Sequence, residues 1–89
     1  MKKSLIRILD IRTSHHQLET SFLKELSESG LIDILKEKDE EYLDEEQLQA
    51  LEQYSTWYYE LEINMQGIQV ARQLLQKIEQ LQEEIKRLR

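Results

Sequence analysis

Cysteine and proline are both absent from the 89 residues of this chain, and glycine occurs only twice, at Gly30 and Gly67. Without cysteine there is no disulfide, no thiolate nucleophile and no zinc–thiolate site, a composition that fits a reducing compartment. No proline, low-complexity tract or internal repeat marks a boundary of composition. Long apolar runs are missing too. Met1-Lys2-Lys3 is followed by a few apolar residues that Arg7, Asp10 and Arg12 soon interrupt, so no signal peptide or membrane span is expected. The expectation is a soluble, cytoplasmic protein. At this length folding buries about 60 % of the exposable surface, which makes the core thin and gives an interface scope to complete it.

Positive charge is the scarcer sign, with 12 Lys and Arg against 18 Asp and Glu for a net −6. The excess is local. Residues 33–46 hold eight acids (Asp33, Glu37, Asp39, Glu40, Glu41, Asp44, Glu45, Glu46) against Lys36 and Lys38, and the remainder is neutral. Such a patch repels phosphate backbones and attracts basic protein surfaces.

What is present is helical periodicity, strongest at the end. Ala71, Leu74, Ile78, Leu81, Ile85 and Leu88 alternate steps of three and four, which is a heptad seam with Ala71, Ile78 and Ile85 at a and the leucines at d. β-Branched residues at a with Leu at d favour two strands. Fewer than three heptads make a marginal helix in isolation, so a second copy or the body of the protein must cover the seam, and these six residues are the expected dimerisation contacts.

Upstream, residues 4–9 read as a short strand, and Asp10 as the N-cap of a short helix through His16. Glu19, Thr20 or Ser21 caps a second helix burying Phe22, Leu23 and Leu26, with Leu18 and Leu23 placed for a hydrophobic staple if Glu19 is the cap. Gly30 ends it in the left-handed conformation, with Leu31 packing back. Residues 31–35 and 41–43, joined by the charged 36–40, predict a β-hairpin. Asp44 and Gln47 form a capping-box-like pair, and Leu48, Leu51, Tyr54, Tyr58 and Leu61 give the stripe of a third helix to about Glu60. Asn64 caps the long fourth helix from about Met65, where Gly67 costs up to about 1 kcal/mol unless another backbone approaches it closely. The expected fold is mostly α with a small β-hairpin: a winged helix-turn-helix over residues 1–63, then a long helix over 64–89.

Chemistry-bearing patterns are weak. His15 and His16 point roughly 100° apart on a helix and do not grip one metal together. Ser14, Ser21, Ser27, Ser29 and Ser55 lack a glycine-flanked elbow or phosphate loop, and the clustered carboxylates belong to a charge run that reads as a hydrated loop and cap. No enzyme, metal or cofactor is expected. Tyr54 and Tyr58 read as core. Trp57, one step before Tyr58, cannot fully share that face, so one of Trp57 and Tyr59 is expected to be partly exposed, as interface anchors are.

The segments LETSFLKELSESGLIDI (18–34) and YYELEINMQGIQVARQLLQKIEQLQEEIKRLR (58–89) carry a resemblance, sharpest in the pattern at Leu61, Ile63, Asn64, Gly67 and Ile68 followed by Leu74-Leu75. Over nearly its whole length the chain resembles the bacterial chaperone-modulator (CbpM-like) family, a branch of the MerR-like winged-helix fold. Arg12 departs from it, standing where similar chains carry an apolar or aromatic residue. The resemblance implies a regulator that binds the J-domain of a DnaJ-like, curved-DNA-associated co-chaperone and restrains it. The acidic patch, notably Glu37, Asp39, Glu40 and Glu41, suits the basic helix that J-domains present. The competing reading is a MerR-like DNA-binding transcriptional regulator. Against it, the second helix offers only Lys24 beside Glu19, Glu25 and Glu28, and the wing is the most acidic part of the chain, so nucleic acid is not the expected partner.

Overall fold

Leu5–Arg7 forms β1 and hands over without a loop to α1, Ile8–Ser14, in a computed structural model that describes residues 4–88. The strand is therefore shorter than expected, and Asp10 is not the cap. Ile8 and Ile11, one helical turn apart, are both buried, and that period of three outweighs the strand propensity of the apolar run. Arg7 occupies the N-cap with extended backbone, and its guanidinium donates to both oxygens of Asp10 in the first turn, at 3.1 and 3.3 Å. Arg12 is half-buried. Its Nε donates to the carbonyl of Leu18 at 3.1 Å, giving the loop between α1 and α2 a partner that an apolar residue would not supply.

In α2, Thr20–Glu28, the buried residues are Phe22, Leu23 and Leu26, as the pattern predicts. Glu19 is the N-cap residue, but its side chain accepts no capping hydrogen bond. At the other end Gly30 has φ +76°, its N–H reaches Ser27 O at 3.1 Å, and the Leu31 N–H reaches Leu26 O at 2.9 Å. This is a Schellman ending, which satisfies carbonyls the last turn leaves open.

Strand β2 begins later than expected, at Ile34–Glu37, and pairs antiparallel with β3, Glu40–Asp44. Residues 31–33 are irregular because Ile32 drops into the core and Asp33 is held by a side chain: its N–H donates to Gln47 Oε1 at 2.7 Å, and Gln47 Nε2 donates to its carbonyl at 3.2 Å. The hairpin turn is Lys38-Asp39, both at positive φ (48° and 66°). That is the geometry whose twist suits a two-residue connection, usually filled by an asparagine–glycine pair. Strand β1 pairs along the other side of β3, so the expected hairpin is the larger part of a three-stranded sheet in the order β1-β3-β2.

Because Gln47 is committed to Asp33, the capping box does not form. Asp44 alone caps, accepting from the Glu46 N–H at 3.0 Å, and Glu45–Gln47 makes a 3₁₀ turn before α3, Leu48–Ser55. The chain then widens into a π-helical turn, Thr56–Glu60, closed by Leu61 N–H to Thr56 O at 3.1 Å. The extra residue per turn breaks the three-four rhythm. Leu61 accordingly leaves the stripe and is 61 % exposed.

Helix α4, Met65–Arg87, starts where expected, with Asn64 Oδ1 accepting from the Gly67 N–H at 2.8 Å. A Cβ on Gly67 would sit 2.6 Å from Ile63 Cγ2 and 3.3 Å from Asn64 Oδ1, so a side chain and the cap, not another backbone, exclude larger residues there. A single core joins Ile8 and Ile11 of α1, Leu18, α2, Ile32, Leu43 of β3, Leu51 and Tyr54 of α3, and Ile68 of α4. Met1, Lys2, Lys3 and Arg89, and with them the reading made of the N-terminal lysines, lie outside the described residues.

Candidate functional site

The wing gathers the acids first. Across the ladder Lys36 faces Glu41, a complementary pair, while Glu37 faces Glu40 and the turn adds Asp39. A like-charged pair directly opposed on a sheet costs stability, so folding alone does not select Glu37 and Glu40. Glu37, Asp39 and Glu41 are exposed and Glu40 is half-buried on the side of Arg7. Arg7 is held more firmly protonated than usual, chiefly by its bond to Asp10 and further by the charges of Asp10 and Glu40. The four wing acids named from the sequence thus come together on one hairpin end.

Trp57 and Tyr59 come from the π-helical turn and lie apart from that end. Each is half-buried, as is Tyr58 between them. Their rings pack inward: Phe22 lies 4.6 Å from Tyr58 and 5.2 Å edge-on from Tyr59, and Trp57 lies 5.9 Å from Tyr54. The Tyr59 hydroxyl accepts from the Glu19 N–H at 3.2 Å, which supplies the α2 N-terminus with the cap its own side chain does not give. Burial pushes the Tyr59 phenol above its ordinary pKa, and the Glu19 N–H partly offsets that. The wide turn is what lets three successive aromatic residues all share cover. Nothing in the residue spacing announces a π turn.

The six seam residues do share one side of α4. Ala71 is half-buried, whereas Leu74, Ile78, Leu81, Ile85 and Leu88 are exposed in the single chain, and Val70 joins them. Where α4 does meet the head, Ile68 is buried and Arg72 lies beside the Tyr54 hydroxyl, which reaches toward Leu31 O at 3.5 Å. Burial raises the Tyr54 pKa, and Arg72 works against that rise.

Other chemistries find no support in the geometry. His15 Nε2 sits 3.9 Å from Glu52 Oε2, and among the described residues no three His, Cys, Asp or Glu side chains group as a metal cage. Ser55 is buried with its hydroxyl taken by Gln17 Nε2 at 3.1 Å. No helix among the described residues is long and apolar enough to cross a membrane.

A family model described as MerR HTH family regulatory protein matches residues 8–89. The chain belongs to this family. No curated protein and no solved structure matches it. In this MerR-family domain α1 and α2 are the helix-turn-helix pair and the β2–β3 hairpin is the wing. The outer side of α2 carries Thr20, Ser21, Lys24, Glu25 and Glu28, all exposed, with Lys24 the sole cation of that helix. One further feature of the MerR-family domain, an open cleft between α1, α2 and the wing, has no signature in the sequence, because its lining comes from three separated segments.

Proposed function

We propose that this MerR-family domain is a non-enzymatic regulator that docks on protein, binding the J-domain of a DnaJ-like co-chaperone and restraining it. The observation that carries the reading is the sign of charge on the wing: Glu37, Asp39, Glu40 and Glu41 crowd one hairpin end, with Glu37 opposed to Glu40 at a cost to the fold. A basic helix meets complementary potential there, which speeds encounter and selects the partner. The resemblance to the chaperone-modulator family points the same way. Trp57 and Tyr59 would contribute as anchors only through the edges they leave uncovered. The division of labour that goes with this reading is a docking unit over residues 1–63 and a dimerising helix over 64–89, two copies pairing through Ala71, Leu74, Ile78, Leu81, Ile85 and Leu88.

Titration of a purified J-domain against the wild type and against a variant with Glu37, Asp39, Glu40 and Glu41 all changed to Lys tests the reading. The variant should lose affinity, and the wild-type affinity should fall as salt rises. Unchanged affinity and salt dependence would remove the wing from the mechanism. Membership of a helix-turn-helix regulator family favours a second reading, DNA binding. A gel-shift experiment at low salt distinguishes the two, because even nonspecific binders retard duplex under those conditions.

A further inference from the structure

The cleft between α1, α2 and the wing has a volume of about 630 Å³ and stands open to solvent. Ile8 and Leu23 show it only an edge, since both are buried in the core. Leu9 is different: it lines the cleft, is 58 % exposed, and belongs to no part of the core cluster. Ile34, half-buried, borders it from the wing. The two rims differ in charge. Arg12, Lys24 and Glu28 stand on the helical side, and Asp39, Glu40 and Glu41 oppose Lys36 on the wing side.

We infer that this cleft seats an amphipathic basic helix, with the helix's apolar stripe on Leu9 and Ile34 and its cations along the wing rim. The inference rests on the protein-docking reading and adds to it the face that docks and the kind of element it takes. Exposed ion pairs by themselves contribute little affinity, so acids alone would steer a partner without holding it. An apolar strip flanked by charge is the pattern that accepts a helix through residues at i, i+3, i+4 and i+7, and seating those residues excludes water from the neighbouring ion pairs. Duplex DNA is disfavoured because its phosphates would lie against Asp39, Glu40 and Glu41. A second copy's α4 is a poorer occupant, since Arg72, Lys77, Lys86 and Arg87 there are offset by Glu79, Glu83 and Glu84 to a net +1, and Arg72 already lies against Tyr54.

The test is amide chemical-shift mapping on the isotope-labelled full chain with two probes: a purified J-domain, and a designed leucine–lysine helix with leucines at the spacing above. Leu9→Asp is the paired variant. Its side chain faces solvent, so the fold should persist, and mapping of the wild type needs no variant at all. With the J-domain, shifts concentrated at Leu9, Ser27 and Ile34 and a loss of roughly tenfold or more in affinity for Leu9→Asp are expected. A J-domain that binds but shifts residues elsewhere, or binds Leu9→Asp within about twofold of wild type, overturns the cleft and leaves the docking reading standing. Should the J-domain not bind, that reading fails, and the leucine–lysine helix decides for the cleft alone: shifts at the same three residues sustain it, and their absence ends it.

Discussion

Two sets of apolar residues with the same helical spacing meet opposite fates. In the head, Phe22, Leu23 and Leu26 of α2 and Leu51 and Tyr54 of α3 close against each other and against Leu43 of the sheet, and Leu26, Leu43 and Tyr54 show no surface at all. Along α4, Leu74, Ile78, Leu81 and Ile85 keep the same three-four rhythm and are about half exposed. Propensity does not distinguish them. In the head, tight endings fold the chain back on itself: the Schellman turn at Gly30, the Lys38-Asp39 turn and the Gln47 clamp on Asp33 each bring a second surface to the first. Beyond Arg72 no described element folds back to cover the seam of α4. A periodic stripe is therefore a requirement for cover, and topology decides whether the same chain meets it.

The sharpest way to break this contrast is to truncate one residue of each set. Leu26→Ala should cost about 2–5 kcal/mol in urea or thermal unfolding, whereas Leu81→Ala should stay within about 0.5 kcal/mol at protein concentrations low enough to prevent association. Equal losses would erase the distinction, and a Leu81→Ala cost that grows with concentration would show a second copy supplying the cover. Next in size is the junction between the two regions. Asn64→Ala removes the carboxamide that receives the Gly67 N–H and should cost about 1 kcal/mol, seen as lost far-ultraviolet helix signal before the head melts.

A smaller effect of opposite sign belongs to the wing. Lys38 and Asp39 both occupy left-handed backbone without being glycine. The double substitution Lys38→Asn with Asp39→Gly installs the usual pair for this turn. It should stabilise the head by about 0.5–1 kcal/mol in thermal unfolding and leave α4 unaffected. The smallest effect appears only in alkali. Burial lifts the Tyr54 phenol above its ordinary value of 10.0, so the native state keeps the proton after the unfolded chain has released it. This contribution is intact below about pH 10 and is lost as pH rises through the native value. Tyr54→Phe should flatten that alkaline fall in a pH-dependent melting series, on top of a pH-independent offset for the lost hydroxyl contact with Leu31 O.

How much of this was legible depends on how local the cause is. The buried face of α2, its ending at Gly30 and the start of α4 at Asn64 follow from spacings within a few residues, and the structure agrees with them. The expectations fail where a distant partner, or a local change of helical turn, intervenes. Ile8 and Leu9 read as strand because the core that receives Ile8 and Ile11 is assembled from elements further along the chain. Gln47 read as half of a capping box because Asp33, fourteen residues away, is its actual partner. Leu61 read as core because a π turn shifts the register just before it. The wing acids could be foreseen as a run and were found clustered. The cleft beside them could not be foreseen, since Leu9, Lys24 and Glu41 are brought to it by three different elements.

Gln47 has one more consequence. Its amide holds Asp33 through a donated and an accepted hydrogen bond, so it acts as a surrogate rung joining the base of the wing to the start of α3. Slow hydrolysis of that amide would replace the donor with an anion facing a carbonyl oxygen, beside the Asp33 carboxylate. A chain altered in that way would loosen first where the hairpin is rooted, while its hydrophobic interior stayed closed.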